Sequence, residues 1–92
     1  MPKVLLYSTW IFLFYDTDLY ENRAHVHVGK KNTKYLTKIW LEPEIKIAKE
    51  GELNYFEEKE ILKITQLYKE DLIKQWKRFK KGQKVQIIKI QK

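Results

Sequence analysis

Two histidines, His25 and His27, are the side chains of this sequence best suited to chemistry, and they are its only imidazoles. They lie two positions apart in an Ala-His-Val-His-Val run at residues 24–28. Because side chains alternate between faces along an extended strand, this spacing places both imidazoles on one surface of a sheet. Imidazole exchanges protons near neutral pH and is also the commonest metal ligand in proteins. The pair therefore predicts a functional site on a strand.

The first hypothesis for this site is cleavage of RNA without a metal ion. Such a reaction needs a base for the 2′-hydroxyl proton, an acid for the leaving oxygen and a cation for the phosphate. Side chains of all these types lie on the histidine strand or on the strand predicted to follow it. The hypothesis assigns acid and base to His25 and His27, imidazole orientation to Glu42, the phosphate to Lys38, Lys34 or Arg23, and base stacking to Trp40.

Two other interpretations of the pair stay open. A His-x-His pair with Glu42, Asp16 or Asp18 as a third ligand is a donor set known for zinc and iron. Two ligands on one strand are a weak signal, however, so no metal and no cofactor are assigned. The other interpretation is structural, with both imidazoles on a half-exposed face beside Glu42 and Trp40. The sequence does not decide whether the protein is an enzyme.

Positive charge is concentrated toward the C-terminus. The formal net charge is +7, and eight basic residues but no acidic one follow Asp71. Such a surface suits RNA or an acidic protein, although cations also stabilise the negative end of a helix. The candidate binding residues for nucleic acid or a partner are Arg23, Lys30, Lys31, Lys34, Trp40, Lys77, Arg78, Lys80 and Lys81.

The composition indicates one globular domain over residues 1–92, with 43% hydrophobic and 34% charged residues. The absence of cysteine excludes a disulfide framework and a thiolate zinc site. No apolar run reaches the length of a membrane-spanning helix, and no signal-peptide pattern is present. We therefore expect no membrane association and a cytoplasmic location.

Alternation of apolar residues predicts five or six strands within residues 3–48 and near the C-terminus. A turn centred near residues 31–32 predicts that His27 lies opposite Leu36 and His25 opposite Lys38. This register places both histidines on one face with Lys38, Trp40 and Glu42 of the next strand. It places Tyr35 on the other face, in the core. The predicted strands are residues 4–7, 10–15, 23–28 and 34–41, a short strand around Ile45 and Ile47, and an extra strand at about 84–90.

A helical period replaces this alternation at about residues 54–81. Asn54 with Glu57 resembles a capping box, and Gly82 suits the position just beyond a helix end. These caps favour one long helix, while a break near residues 70–71 would give two. The apolar stripe of this helix is assigned to the core, and its Trp76 and Phe79 are candidates for partner contact if the helix end projects. The predicted fold is α+β: an antiparallel sheet of five or six strands packed on one face by a long C-terminal helix.

Three runs of residues together resemble the DUF4160 family of small bacterial proteins. They are Phe-Leu-Phe-Tyr at 12–15, His-Val-His-Val at 25–28 and Ile-Trp-Leu-Glu-Pro at 39–43, followed by a helix carrying Trp76. The resemblance covers roughly residues 1–80, so the extra strand lies beyond it. It departs from the family at Arg23 and Ala24, where prolines are frequent. The resemblance implies the toxin half of a toxin–antitoxin pair, beside a small acidic antitoxin-like protein of the DUF2442 type.

Residues and resemblance together lead to one functional expectation and one rival. The expectation is a toxin of a bacterial type II toxin–antitoxin module that acts on or binds RNA through the His25/His27 face. The rival is a non-catalytic interaction module. It would dock an acidic protein or nucleic acid through the basic helix end and the last strand, where Ile87, Ile88 and Ile90 also suit pairing with a second copy.

Overall fold

A six-stranded sheet forms one layer of the protein, and two helices pack against it. The computed structural model describes residues 2–90. A 3-10 helix at Asp16–Tyr20 connects the second and third strands. The strands are β1 Lys3–Tyr7, β2 Trp10–Leu13, β3 His25–Lys30, β4 Thr37–Trp40, β5 Lys46–Lys49 and β6 Ile88–Ile90; the helices are α1 Tyr55–Leu67 and α2 Lys69–Lys80.

The strand order is β5-β4-β3-β2-β1-β6, so β3 and its histidines lie inside the sheet rather than at an edge. Neighbouring strands are antiparallel except β6, which runs parallel to β1. The α+β class and the mainly antiparallel sheet are confirmed, and β6 forms the predicted extra strand at one edge. Within residues 2–90, neither helix combines the length and apolar character needed to cross a membrane.

The register of β3 against β4 differs from the prediction by two residues. His27 lies opposite Lys38 and His25 opposite Trp40. The expected turn does form, because Thr33 N donates to the Lys30 carbonyl at 3.0 Å, but β4 begins only at Thr37. A shift of two residues preserves which face each side chain occupies, since the side-chain period of a strand is two. The expected face, with both histidines beside Lys38 and Trp40, therefore exists despite the wrong register.

The opposite face of the sheet forms the core with the helices. Leu5, Phe12 and Val28 lie in one row across β1, β2 and β3, and all three are fully buried. They belong to the same apolar cluster as residues of both helices. The helical members of this cluster are Ile61, Ile64, Leu72, Trp76 and Phe79. Tyr35, which we expected in this core, is instead 61% exposed because it precedes β4.

The predicted long helix is divided at Tyr68, whose φ of −108° and ψ of 19° are not helical. The start of α1 is as expected, because Asn54 and Glu57 form reciprocal capping hydrogen bonds of 2.9 and 3.0 Å. Glu70 and Asp71 lie in the first turn of α2, where acidic side chains are favourable. Trp76 and Phe79 are buried in the core, so the helix end does not present them to a partner.

Substitution of Gly51 by alanine should destabilise the protein, because a Cβ there would lie 2.7 Å from Leu36 C and from Thr37 N. We expect Gly51→Ala to lower the free energy of unfolding by about 1–3 kcal/mol in urea denaturation. Gly82→Asn is the matched control, since nothing lies within 4 Å of a Cβ there and asparagine tolerates its φ of +73°. Unchanged stability of Gly51→Ala would show that the chain does not approach β4 this closely.

Candidate functional site

A buried carboxylate lies between the two histidines. Asp18 is 3% exposed, His25 0% and His27 9%. Asp18 Oδ1 is 2.9 Å from His25 Nε2, and Asp18 Oδ2 is 3.1 Å from His27 Nε2. The two imidazole rings meet edge to face with centroids 5.1 Å apart. One carboxylate therefore joins both imidazoles, and His27 Nε2 also lies 3.3 Å from Oδ1.

Two elements bring these three side chains together. Strand β3 presents both histidines on one face, and the 3-10 helix carries Asp18 over that face. Asp18 Oδ2 also accepts the backbone N–H of Tyr15 at 2.8 Å, which fixes the carboxylate at the start of the 3-10 helix. From α2, Lys80 Nζ donates to the carbonyls of Leu19 and Glu21 at 2.6 and 2.7 Å. The end of α2 thus stabilises the segment between β2 and β3 that contains Asp18.

The surroundings of Asp18 favour its ionised form. Burial by itself raises the pKa of this carboxyl, but the close contacts with His25 and His27 and the hydrogen bond from Tyr15 N outweigh it. Together they hold the pKa of Asp18 well below its usual range. Burial, and then the Asp18 charge, raises the pKa of the Tyr15 phenol. The site therefore contains a buried negative charge.

Both ring nitrogens and the ring of His25 are in close contact with neighbouring groups. Its Nδ1 lies 2.9 Å from the carbonyl oxygen of Arg23 and donates to it, because a carbonyl can only accept. Its ring contacts Trp40 and Trp76, with centroid distances of 5.7 and 4.8 Å. Its Nε2 lies close to Asp18 without the geometry of a hydrogen bond. Within residues 2–90, His25 Nε2 is the buried side-chain nitrogen that lacks a hydrogen-bond partner.

Glu42 does not take the place expected for it. Its side chain is exposed, and its backbone carbonyl accepts a 2.7 Å hydrogen bond from Arg23 Nε. Besides Asp18, the carboxylate near an imidazole is Glu21, whose Oε2 lies 3.8 Å from His25 Nδ1. Glu21 also binds Lys38 Nζ at 2.9 Å. Within residues 2–90, the carboxylates that contact the imidazoles are therefore those of Asp18 and Glu21, and Glu42 is not among them.

His27 lines an open cleft of about 250 Å³ on the face away from the core. Its ring lies 4.3 Å from that of Tyr15, another residue of the cleft. A second cleft shares Tyr15, Lys34 and Leu36 with the first. The first cleft is lined by Tyr15, His27, Lys34, Tyr35, Leu36, Lys38, Lys49 and Glu50. Of the two histidines, His27 lines this cleft, whereas His25 is fully buried.

The remaining predicted residues of the strand region lie around this surface. Trp40 lies between two cations, with Arg23 Cζ 4.1 Å and Lys38 Nζ 4.6 Å from its ring centroid. Lys31 and Lys34 line the second cleft. Lys30 also lines it, and its amino group binds Glu57 of α1 at 2.9 Å. Trp40 is half-buried, so its ring is already covered in part by these contacts.

The basic end of α2 is a separate surface. Lys77, Arg78 and Lys81 are exposed there, and Arg78 lines a shallow cavity with Lys84 and Lys89. Lys80 differs from these three, because its amino group donates to backbone carbonyls of the Asp18 connection. The nine predicted binding residues are thus divided between the clefts, the Trp40 stack and the helix end.

Sequence reasoning missed the central role of Asp18, which we named only as an alternative metal ligand. The available signal was an acidic residue three positions after Tyr15, the spacing with which a side chain accepts the N–H at a helix start. Tyr35 was also missed as an exposed aromatic of the cleft. The three ligand-type side chains Asp18, His25 and His27 offer atoms that all lie within 4.8 Å of one another, so they have the types and proximity to hold a metal ion.

Comparison with known proteins yields a family match. The profile of the family described as Domain of unknown function (DUF4160) matches residues 9–77. This range contains Asp18, both histidines and every residue that lines the first cleft. No curated protein and no solved structure matches the chain.

Replacement of Asp18 by asparagine should destabilise the fold in a pH-dependent way. At pH 7, in buffer with a chelator, we expect Asp18→Asn to lower the free energy of unfolding by about 2–3 kcal/mol. The folded-state pKa of Asp18 lies below the unfolded-state pKa, so its stabilisation is complete above the unfolded value. The difference from wild type should therefore shrink as the pH falls below about 4.

Urea denaturation across this pH range measures the difference. Asp16→Asn is the matched control, because Asp16 is exposed in the same 3-10 helix. We expect it to change stability by less than about 0.5 kcal/mol. An Asp18→Asn protein as stable as wild type at pH 7 would contradict the central place given to this carboxylate.

Proposed function

This chain belongs to the DUF4160 family, and we propose that it binds RNA in the His27 cleft as the toxin component of a bacterial type II toxin–antitoxin module. The observation that carries the RNA-binding proposal is the lining of the cleft, which places Lys34, Lys38 and Lys49 around one imidazole. The toxin role rests on the family resemblance, which implies an acidic antitoxin-like partner of the DUF2442 type. In this proposal the protein acts in the cytoplasm, where RNA is available.

The charges of the cleft support a phosphate ligand. Lys34 and Lys49 are exposed, while Lys38 shares its charge with Glu21. The second cleft continues the surface past Lys34 to Lys31. A strip of lysines of this kind contacts successive phosphates and gains affinity from the release of counterions. The net charge of +7 favours the approach of RNA from a distance.

An aromatic ring for base stacking also lies in the cleft. Tyr35 lines it, and its ring lies 5.3 Å from Lys34 Nζ. Exposed aromatic rings beside a basic groove bind single-stranded nucleic acid, because every base has a face that can stack. Trp40, the residue first expected to stack, already contacts Arg23 and Lys38. Tyr35 therefore replaces Trp40 as the stacking residue in this proposal.

The two histidines have different roles in this proposal. His27 contacts the bound RNA, because it lines the cleft. His25 is fully buried and acts as a positioning residue that holds Asp18 behind His27. Lys38 is both a cleft residue and the partner of Glu21, whereas exposed Glu42 has no role in RNA binding.

A non-catalytic interaction module remains the second candidate, and the edge strand β6 favours it. β6 pairs with β1 on one side, which leaves its other side as a sheet edge. Ile87, 47% exposed, lines an apolar groove with Val85 beside that edge. A partner strand or a second copy would extend the sheet there. For this candidate, charge reversal at Lys77, Arg78 and Lys81 weakens partner binding and His27→Ala does not.

Growth during induced expression tests the toxin role. We expect wild type to arrest growth and His27→Ala to relieve the arrest, because the imidazole is lost from the cleft. Glu42→Ala is the control and should arrest growth as wild type does. Circular dichroism and immunoblotting verify folding and expression of each variant. Growth unaffected by well-expressed, folded wild type would contradict the toxin role.

Binding of a fluorescent single-stranded RNA, measured by anisotropy at several salt concentrations, tests the cleft itself. Replacement of Lys34 and Lys49 by glutamate should weaken binding at least about tenfold and reduce the salt dependence. The control replaces Lys63 and Lys74 by glutamate, which makes the same change in net charge at exposed helix positions. Equal losses from the two double substitutions would mean that only net charge matters, and the cleft proposal would fail.

A further inference from the structure

We propose that Asp18, His25 and His27 form a binding site for a divalent transition-metal ion of the zinc type. The proposal goes beyond RNA binding, because it concerns the buried side chains behind the cleft and is tested on the protein alone. Two imidazole nitrogens and a carboxylate oxygen are a donor set that binds such ions, and three protein ligands leave a coordination position for a further ligand.

The distances fit a shared ion. Ligand atoms of the three residues all lie within 4.8 Å of one another. The Nε2 atoms of His25 and His27 approach the two oxygens of Asp18 at 2.9 and 3.1 Å. Nitrogen and oxygen ligands bind zinc at about 2.0–2.2 Å, which places neighbouring ligands on one ion roughly 3–3.5 Å apart. Small adjustments of the side chains would therefore direct all three donors to one point.

His25 supplies an independent indication of a missing ligand. Its side chain is fully buried, yet its Nε2 lacks a hydrogen-bond partner among the residues described. This nitrogen lies 2.9 Å from an oxygen of Asp18, in an orientation that makes no hydrogen bond. An unprotonated nitrogen so close to a buried carboxylate is unfavourable unless a proton or a metal ion compensates the negative charge. The arrangement therefore calls for a positively charged species at this nitrogen.

The other nitrogen of His25 has the partner expected of a metal-binding imidazole. Nδ1 donates to the backbone carbonyl of Arg23 at 2.9 Å, which fixes the tautomer that leaves the Nε2 lone pair available. Metal-bound histidines almost always make such a bond through their second ring nitrogen, because it orients the ring and increases its basicity. The ring contacts with Trp40 and Trp76 restrict its rotation further.

Within residues 2–90, no lysine forms an ion pair with the carboxylate of Asp18. Lys38, a basic side chain on the same face of the sheet, binds Glu21 through contacts of 2.9 and 3.1 Å. Lys80 donates to the carbonyls of Leu19 and Glu21 rather than to a carboxylate. The charge partners of Asp18 are thus the two imidazoles, which are themselves metal ligands. Because His27 lines the cleft, an ion has a route from solvent to the site.

The test uses the full chain without an affinity tag, stripped with a chelator. Calorimetric titration with Zn²⁺ should show one ion per chain, and Co²⁺ should produce a visible absorption band. Asp18→Asn should weaken Zn²⁺ binding at least about tenfold, and Asp16→Asn should not. No Zn²⁺ binding by folded wild type, or equal affinity of wild type and Asp18→Asn, would overturn the proposal.

If Asp18→Asn fails to fold by circular dichroism, NMR spectra of the wild-type imidazoles decide. Resonances of both His25 and His27 should change and saturate at one equivalent of Zn²⁺. Resonances that stay constant during the titration would show that the two imidazoles do not bind Zn²⁺, and the metal site would be rejected. Neither readout involves RNA, so failure here is distinct from failure of the proposed RNA-binding function.

Discussion

Pairing of a buried negative charge is the constraint on which the rest of the candidate site depends. A carboxylate removed from water is costly unless hydrogen bonds and opposite charge compensate it. Asp18 obtains this compensation from His25, His27 and the backbone of Tyr15. These contacts come from β3 and from the connection between β2 and β3. The carboxylate therefore fixes a polar segment over the face of the sheet that the helices leave free.

The helices nevertheless contribute to this site from the opposite layer. Trp76 of α2 contacts both Phe14 in the core and His25 in the site, with centroid distances of 5.3 and 4.8 Å. Lys80, one turn later, binds the carbonyls on either side of Tyr20. Packing of α2 is thus coupled to the position of Asp18. Substitutions in the core near Trp76 are expected to act on the site through His25, although they lie outside the cleft.

The sequence predicted those features that depend on local periodicity. Alternation placed His25 and His27 on one face with Lys38 and Trp40. This placement is correct although the predicted register was wrong by two residues, because a shift by an even number leaves each side chain on the same face. The start of α1 was predictable from Asn54 and Glu57. The features that failed depend on long-range packing: the partner of the histidines is Asp18, not Glu42, because a loop without apolar alternation folds over the sheet. Likewise, the exposure of Tyr35 follows from where β4 begins.

The central claim is that Asp18 joins both imidazoles, and long-range ¹H–¹⁵N NMR of the histidine rings tests it most directly. At neutral pH, in chelated buffer, the account predicts a protonated Nδ1 on His25 that is bonded to the Arg23 carbonyl. It also predicts that Asp18→Asn shifts the Nε2 resonances of both rings. An unprotonated Nδ1 on His25 would contradict the account. So would Nε2 resonances that do not change when Asp18→Asn is made in a folded protein.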